Sequence, residues 1–101
     1  MVHTHSPYAT ALASAGRALP TLHDEGRLLF GESIPLAKPA PPGTWELAGH
    51  AVEAVGGGPA ALLFRHGAVT VGRTLSEALV LAEKLEEAAR LLALALPLRS
   101  A

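Results

Sequence analysis

The stretch LLFRHGAVTVGRTLSEALVLAEKLEEAA, residues 62–89, decides the fold class. Ala60 to Phe64 and Ala68 to Val71 read as two β segments around the bend Arg65-His66-Gly67, because short apolar runs bounded by turn formers are strand signals. Thr74-Leu75-Ser76-Glu77 then matches a capping box, in which a hydroxyl and a carboxylate satisfy the first free N–H groups of a helix. The helix behind it places Leu75, Leu79, Ala82, Leu85, Ala89 and Leu92 in one stripe and Leu81, Ala88, Leu91 and Ala95 in a second. A helix apolar on two sides is expected between its own sheet and a neighbouring subunit, so the pattern predicts an α/β chain that forms a homo-oligomer. Glu86 and Arg90 are expected on its solvated edge as an i,i+4 pair.

Upstream, Val2 and Thr4 alternate with His3 and His5, a period of two that predicts a strand end with both imidazoles on one side. Ser6 and Pro7 supply an N-cap hydroxyl and a preset φ, and Gly16 closes the short helix that follows. Leu19 to Gly31 reads as a loop or a single helical turn carrying His23, Asp24 and Glu25, and Ser33 to Lys38 as a short strand. Pro39 to Gly43 is too proline-rich for regular structure, and Thr44 caps a helix to about Val55 that Gly56-Gly57-Gly58 ends. The whole chain, residues 1–101, reads as one domain.

Hydrophobic residues make up 50% of the sequence and charged residues 17%, too apolar a balance for a disordered segment. The net charge is -1 and the basic residues are scattered, so no nucleic acid and no membrane surface is expected as a partner. No signal-peptide pattern opens the chain, and a cytoplasmic location is expected. Cysteine is absent, so a metal would have to sit on histidine or carboxylate. Asn and Gln are absent as well, which suits a thermophile. His3 and His5 form a His-x-His pair, and alternate strand residues can hold two imidazole nitrogens on one zinc.

The segments VHTHSPYATALA (residues 2–13), SIPLAKPAPPGTWELA (33–48) and LLFRHGAVTVGRTLSEALVLAEKLEEAA (62–89) follow one another in an order and spacing that resembles the class II aldolase/adducin family. The likeness is to the C-terminal half of the family domain, so it implies a truncated version of a three-layer α/β/α fold with a mainly antiparallel sheet. It implies zinc as the cofactor with His3, His5 and His66 as its ligands. It also implies a sugar-phosphate substrate and a lyase activity, aldol cleavage of the kind the family's L-fuculose-phosphate aldolases perform. Turnover is expected to be impaired because the phosphate-holding loops of the first half have no counterpart. His23-Asp24-Glu25 matches the segment in which dehydratase relatives carry an acid/base glutamate, which makes Glu25 the candidate for proton transfer. A non-catalytic, adducin-like interaction module on the same fold is the alternative. His50 matches no family motif and is expected to be an ordinary helix residue.

Overall fold

Period-two alternation and the turn formers around it produce the sheet on which the molecule is built. The computed structural model describes residues 1–99. The elements run β1 (Val2–Thr4), α1 (Pro7–Ser14), β2 (Leu19–Pro20), α2 (Asp24–Phe30), β3 (Ser33–Ile34), α3 (Trp45–Val55), β4 (Ala60–Leu63), β5 (Gly67–Thr70) and α4 (Leu75–Arg99). The main sheet has the order β1-β5-β4 and both of its pairings are antiparallel. A parallel bridge between Leu36 and Leu62 adds the chain after β3 to the far edge, while β2 and β3 pair separately.

Every residue of β4 and β5 is buried, so both faces of the sheet are covered. Alternation divides their side chains. Ala60, Leu62 and Ala68 join the main core with Ala9 and Ala13 of α1 and Leu81, Leu85, Ala88 and Leu92 of α4. Leu63 turns the other way and packs with Ala37 and Leu47 under α3. The result is three layers, helices on each side of an antiparallel sheet. Leu62 and Leu85 are almost wholly inaccessible, and each such leucine contributes about 1.5–3 kcal/mol over an exposed one.

A truncated fold is not what the chain forms. Its Cα radius of gyration is 12.8 Å, the value of about 13 Å that a compact body of this length has. The described residues pack around two apolar clusters, one on each face of the sheet. No helix among them is long and apolar enough to cross a membrane.

Four local expectations are corrected. The 19–31 stretch, expected as a loop or a single helical turn, holds a short strand and the seven-residue helix α2. On α4 the two predicted stripes merge into one wide buried face through Ala78, Leu81, Ala82, Leu85, Ala88, Ala89 and Leu92, whereas Leu75 and Leu79 are exposed. Glu86 is half-buried and forms no ion pair with Arg90. Its carboxylate accepts hydrogen bonds from the backbone N–H groups of Tyr8 at 3.0 Å and Ala9 at 2.9 Å. Ser6 occupies the N-cap position of α1 without making a side-chain cap bond. A carboxylate delivered from α4 thus satisfies the orphan donors of α1 and meets the positive end of its dipole, an arrangement that contributes on the order of 1–2 kcal/mol.

The threonine caps of α3 and α4 form, the second as the hydroxyl half of the expected capping box. Thr44 Oγ1 accepts from Leu47 N–H at 3.2 Å, and Thr74 Oγ1 accepts from Glu77 N–H at 3.0 Å. Thr70 donates its hydroxyl to Ala78 O at 2.7 Å. That buried bond ties the end of β5 to the first turn of α4 and fixes the sheet against the helix.

Candidate metal centre

The edge strand β1 pairs with β5 in the register His3↔Val69 and Thr4↔Ala68. His3 and His5, two residues apart, therefore project from the same side of the strand. His66 arrives from the other direction. The β4–β5 connection is the three residues Phe64, Arg65 and His66, closed by a hydrogen bond from His66 N–H to Leu63 O at 3.0 Å. Arg65 holds φ at 57°, the pattern of a type II turn whose third position ordinarily takes Gly or Asn. An L-residue there costs about 1–2 kcal/mol.

Gly67, the next residue, has φ at 149°, and a Cβ on it would stand 2.0 Å from the carbonyl oxygen of Thr4. Only glycine lets β1 come this close to the hairpin. The approach of Thr4 to Gly67 is what brings the strand histidines against His66.

The three imidazoles meet through their Nε2 atoms. His3 Nε2 lies 3.0 Å from His5 Nε2 and 3.1 Å from His66 Nε2. Bonds of 2.0–2.1 Å in tetrahedral zinc geometry place ligand nitrogens about 3.3 Å apart, so the spacing fits one such ion. His3 Nδ1 donates to Ala68 O at 2.9 Å, which leaves the lone pair of the neutral ring on Nε2, toward the cluster. Burial, and then the neighbouring His3 and His5, hold the His66 pKa below the usual imidazole value. The neutral ring is the form that ligates metal.

Two cavities border the cluster. One, of about 720 Å³, is lined by His5, His66, Thr10, Phe64, Arg65 and the proline-rich segment at Pro39, Ala40 and Pro42. The other, of about 490 Å³, runs between α3 and the sheet and touches His3 and His66. The proline-rich segment has no regular structure, and its place in the fold is as a wall of the first cavity.

Glu25 is not brought to this cluster. It sits in the first turn of α2, 3.1 Å from Lys84 Nζ of α4, within a separate group formed by His23, Glu25 and Glu87. It lines neither cavity that touches the histidines. Its ion-pair partner is Lys84, and its side chain remains half exposed. His50 donates from Nδ1 to Lys38 O at 3.0 Å, a bond that fastens α3 to the chain before the proline segment. Arg65 escaped the sequence reading as a site residue. Its position directly before His66 in a three-residue turn was visible, but arginine carries no turn signal of its own.

The chain matches the family profile described as Class II Aldolase and Adducin N-terminal domain over residues 1–93. It is 43% identical over 89 residues to the 5-methylthioribulose-1-phosphate/5-deoxyribulose-1-phosphate aldolase of Rhodospirillum rubrum, covering 88% of this chain and 40% of that protein. It is 36% identical over 91 residues to the L-fuculose phosphate aldolase of Escherichia coli, covering 90% of this chain and 42% of that protein. Among solved structures, an L-fuculose 1-phosphate aldolase superimposes with a TM-score of 0.87 at 35% identity, over 92% of this chain and 43% of that one. A sugar-phosphate aldolase from Thermotoga maritima superimposes with a TM-score of 0.79 at 30% identity, over 95% of this chain and 44% of that one. The chain thus spans less than half the length of each of these relatives. Assignment to a C-terminal half alone is overturned, because the matched family domain takes in nearly all of the sequence. The profile, the identities and the superpositions agree, and the chain belongs to the class II aldolase and adducin family.

Proposed function

We propose that this chain binds zinc through His3, His5 and His66 and serves aldol cleavage of a 1-phosphorylated ketose. The convergence of three Nε2 atoms at 3.0 and 3.1 Å carries the reading. The names of the relatives support the substrate class, since the Rhodospirillum rubrum protein and the solved aldolase are both named for ketose 1-phosphates. A zinc ion on three neutral imidazoles supplies a Lewis acid with open positions, able to polarise the carbonyl of a hydroxyketone.

The residues of the chain do the rest of the positioning. Ala68 O orients His3 through its Nδ1–H, and the turn at Arg65 sets His66 opposite the strand pair. Pro39, Ala40, Pro42 and Phe64 form an apolar wall of the open cavity beside His5 and His66. A proton-transfer role for Glu25 draws no support from this geometry, because its carboxylate is held by Lys84 away from both bordering cavities.

Zinc-loaded chain incubated with L-fuculose 1-phosphate or 5-deoxyribulose 1-phosphate is expected to release dihydroxyacetone phosphate, followed by a coupled assay. Chelation should stop the release and added zinc restore it. Stoichiometric zinc with no zinc-dependent cleavage of either compound would leave a metal-binding interaction module in place of a lyase. Self-association belongs to the same reading. It is supported by the outer side of α4, where Leu75, Leu79, Val80 and Leu94 are each at least half exposed. Light scattering on the same sample is expected to give a mass above the monomer, and a monomer throughout the micromolar range would remove that part of the proposal.

A further inference from the structure

The three imidazoles of the cluster are not anchored alike. His3 is oriented by the bond from its Nδ1 to Ala68 O, and the backbone of His66 is closed into its turn by the bond to Leu63 O. His5 has neither kind of anchor among the described residues. The β1–β5 ladder ends one residue before it, at Thr4↔Ala68, and the hydrogen bond that its ring makes is to His3, inside the cluster. Its place is set by Thr4 on one side and by Ser6, Pro7 and the start of α1 on the other.

That link has little slack. Proline fixes its own φ and keeps the residue before it extended, and Ser6 accordingly has φ -58° and ψ 134°. Ser6 and Pro7 alone separate His5 from Tyr8, so a displacement of the first turn of α1 moves His5 with it. The first turn is held from α4. Pro7 has no N–H to satisfy, Thr10 N–H donates to Ser6 O at 2.9 Å, and Tyr8 and Ala9 N–H donate to the Glu86 carboxylate at 3.0 and 2.9 Å. Because Ser6 makes no side-chain cap, Glu86 accounts for both donors that the helix start would otherwise leave orphaned. Glu86 is half-buried and pairs with no cation of the described residues, so the N–H groups and dipole of α1 are what meet its charge. The hydroxyl of Thr70 fastens α4 in turn to β5 through Ala78 O at 2.7 Å, which closes a loop from the sheet through α4 back to His5.

We propose that Glu86 is a positioning residue of the metal centre: by clamping the N–H groups of Tyr8 and Ala9 it sets where His5 stands against His3 and His66. Its importance to metal affinity rests on the metal reading given above, whereas the placement of His5 rests on the clamp. A glutamine at this position offers one acceptor oxygen and turns an NH2 group toward the second donor, and an alanine offers neither.

The test uses the full chain. In the metal-free protein, nitrogen–proton correlation spectra of the imidazoles are expected to show the His5 resonances displaced in Glu86→Gln while those of His50, on α3, stay in place. The zinc Kd measured by calorimetry should rise about tenfold in Glu86→Gln and about a hundredfold in Glu86→Ala, the range for loss of a group that orients a metal ligand. Thr74→Ala is the control. It removes the cap on Glu77 N–H at the first turn of the same helix and should lower the urea midpoint while leaving both the zinc Kd and the His5 resonances as in the wild type. Should Glu86→Ala fail to fold, Glu86→Gln decides the matter by itself. Unmoved His5 resonances in Glu86→Gln, or a zinc Kd raised as much by Thr74→Ala as by Glu86→Gln, would overturn the proposal, because affinity would then follow overall stability. A wild-type chain that holds no zinc, yet whose His5 resonances move in Glu86→Gln, would instead defeat the metal reading and leave the placement of His5 by Glu86 standing.

Discussion

Replacing His66 with alanine is expected to abolish stoichiometric zinc binding at neutral pH, weakening affinity by at least about a hundredfold. Losing even a residue that only orients a metal ligand costs 10–100-fold, and His66 contributes one of just three imidazoles in the cluster. The two histidines left on the strand cannot complete a closed set, since no other His or acidic ligand joins this group among the described residues. Calorimetric titration of both proteins with zinc measures the effect. Unchanged stoichiometry and affinity in His66→Ala would show that the ion, if bound, sits elsewhere.

The same residue sets a pH dependence. The His66 pKa is depressed by burial first and by His3 and His5 next, so the folded chain holds this proton less tightly than the unfolded chain does. The associated stability is therefore present above the usual imidazole value near 6.5 and is lost as pH falls through the lower folded value. Zinc affinity should fall in the same direction, because protons compete for the nitrogens. His66→Ala should flatten the acid limb of the metal-free stability profile.

How much of this is legible in the sequence follows from the range of the interactions. The His-x-His pair, the bend at His66 and the threonine caps at Thr44 and Thr74 depend on neighbours a few residues away, and the sequence displays them. The cap on α1 depends on Glu86, 77 and 78 residues from the N–H groups it serves, and no local pattern announces it. Ser6-Pro7 looks sufficient by itself. The long helix misleads for a related reason. Leucines at helical spacing show which side chains could be buried, but the packing of α1 and β5 against α4 decides which are, and Leu75 and Leu79 remain outside. Glu25 stands out by likeness to a motif, and the partner that holds it, Lys84, lies on an element 59 residues further along.

Gly67 is where strand approach and site geometry depend on one missing methyl, and Gly67→Ala is expected to cost about 2–6 kcal/mol. An added Cβ would meet the Thr4 carbonyl oxygen at 2.0 Å and the Thr4 carbonyl carbon at 3.0 Å. Both are backbone atoms in the β1–β5 ladder and cannot swing aside as a flexible side chain could. Overpacking of this kind costs about 1–3 kcal/mol, and forcing alanine into a glycine conformation adds about 1–3 kcal/mol more. Gly43→Ala separates the two contributions. Gly43 has φ at 78°, and a methyl group added there would meet nothing within 4 Å, so that variant bears the conformational cost alone, about 1 kcal/mol or slightly more. Urea denaturation should therefore rank wild type above Gly43→Ala and Gly43→Ala well above Gly67→Ala. Zinc titration should separate them differently, with Gly43→Ala binding as the wild type does and Gly67→Ala losing affinity because β1 must retreat and take His3 and His5 away from His66. Equal stability losses in the two variants, or full zinc affinity in Gly67→Ala, would mean that the close passage of Thr4 over the hairpin does not hold the histidines together.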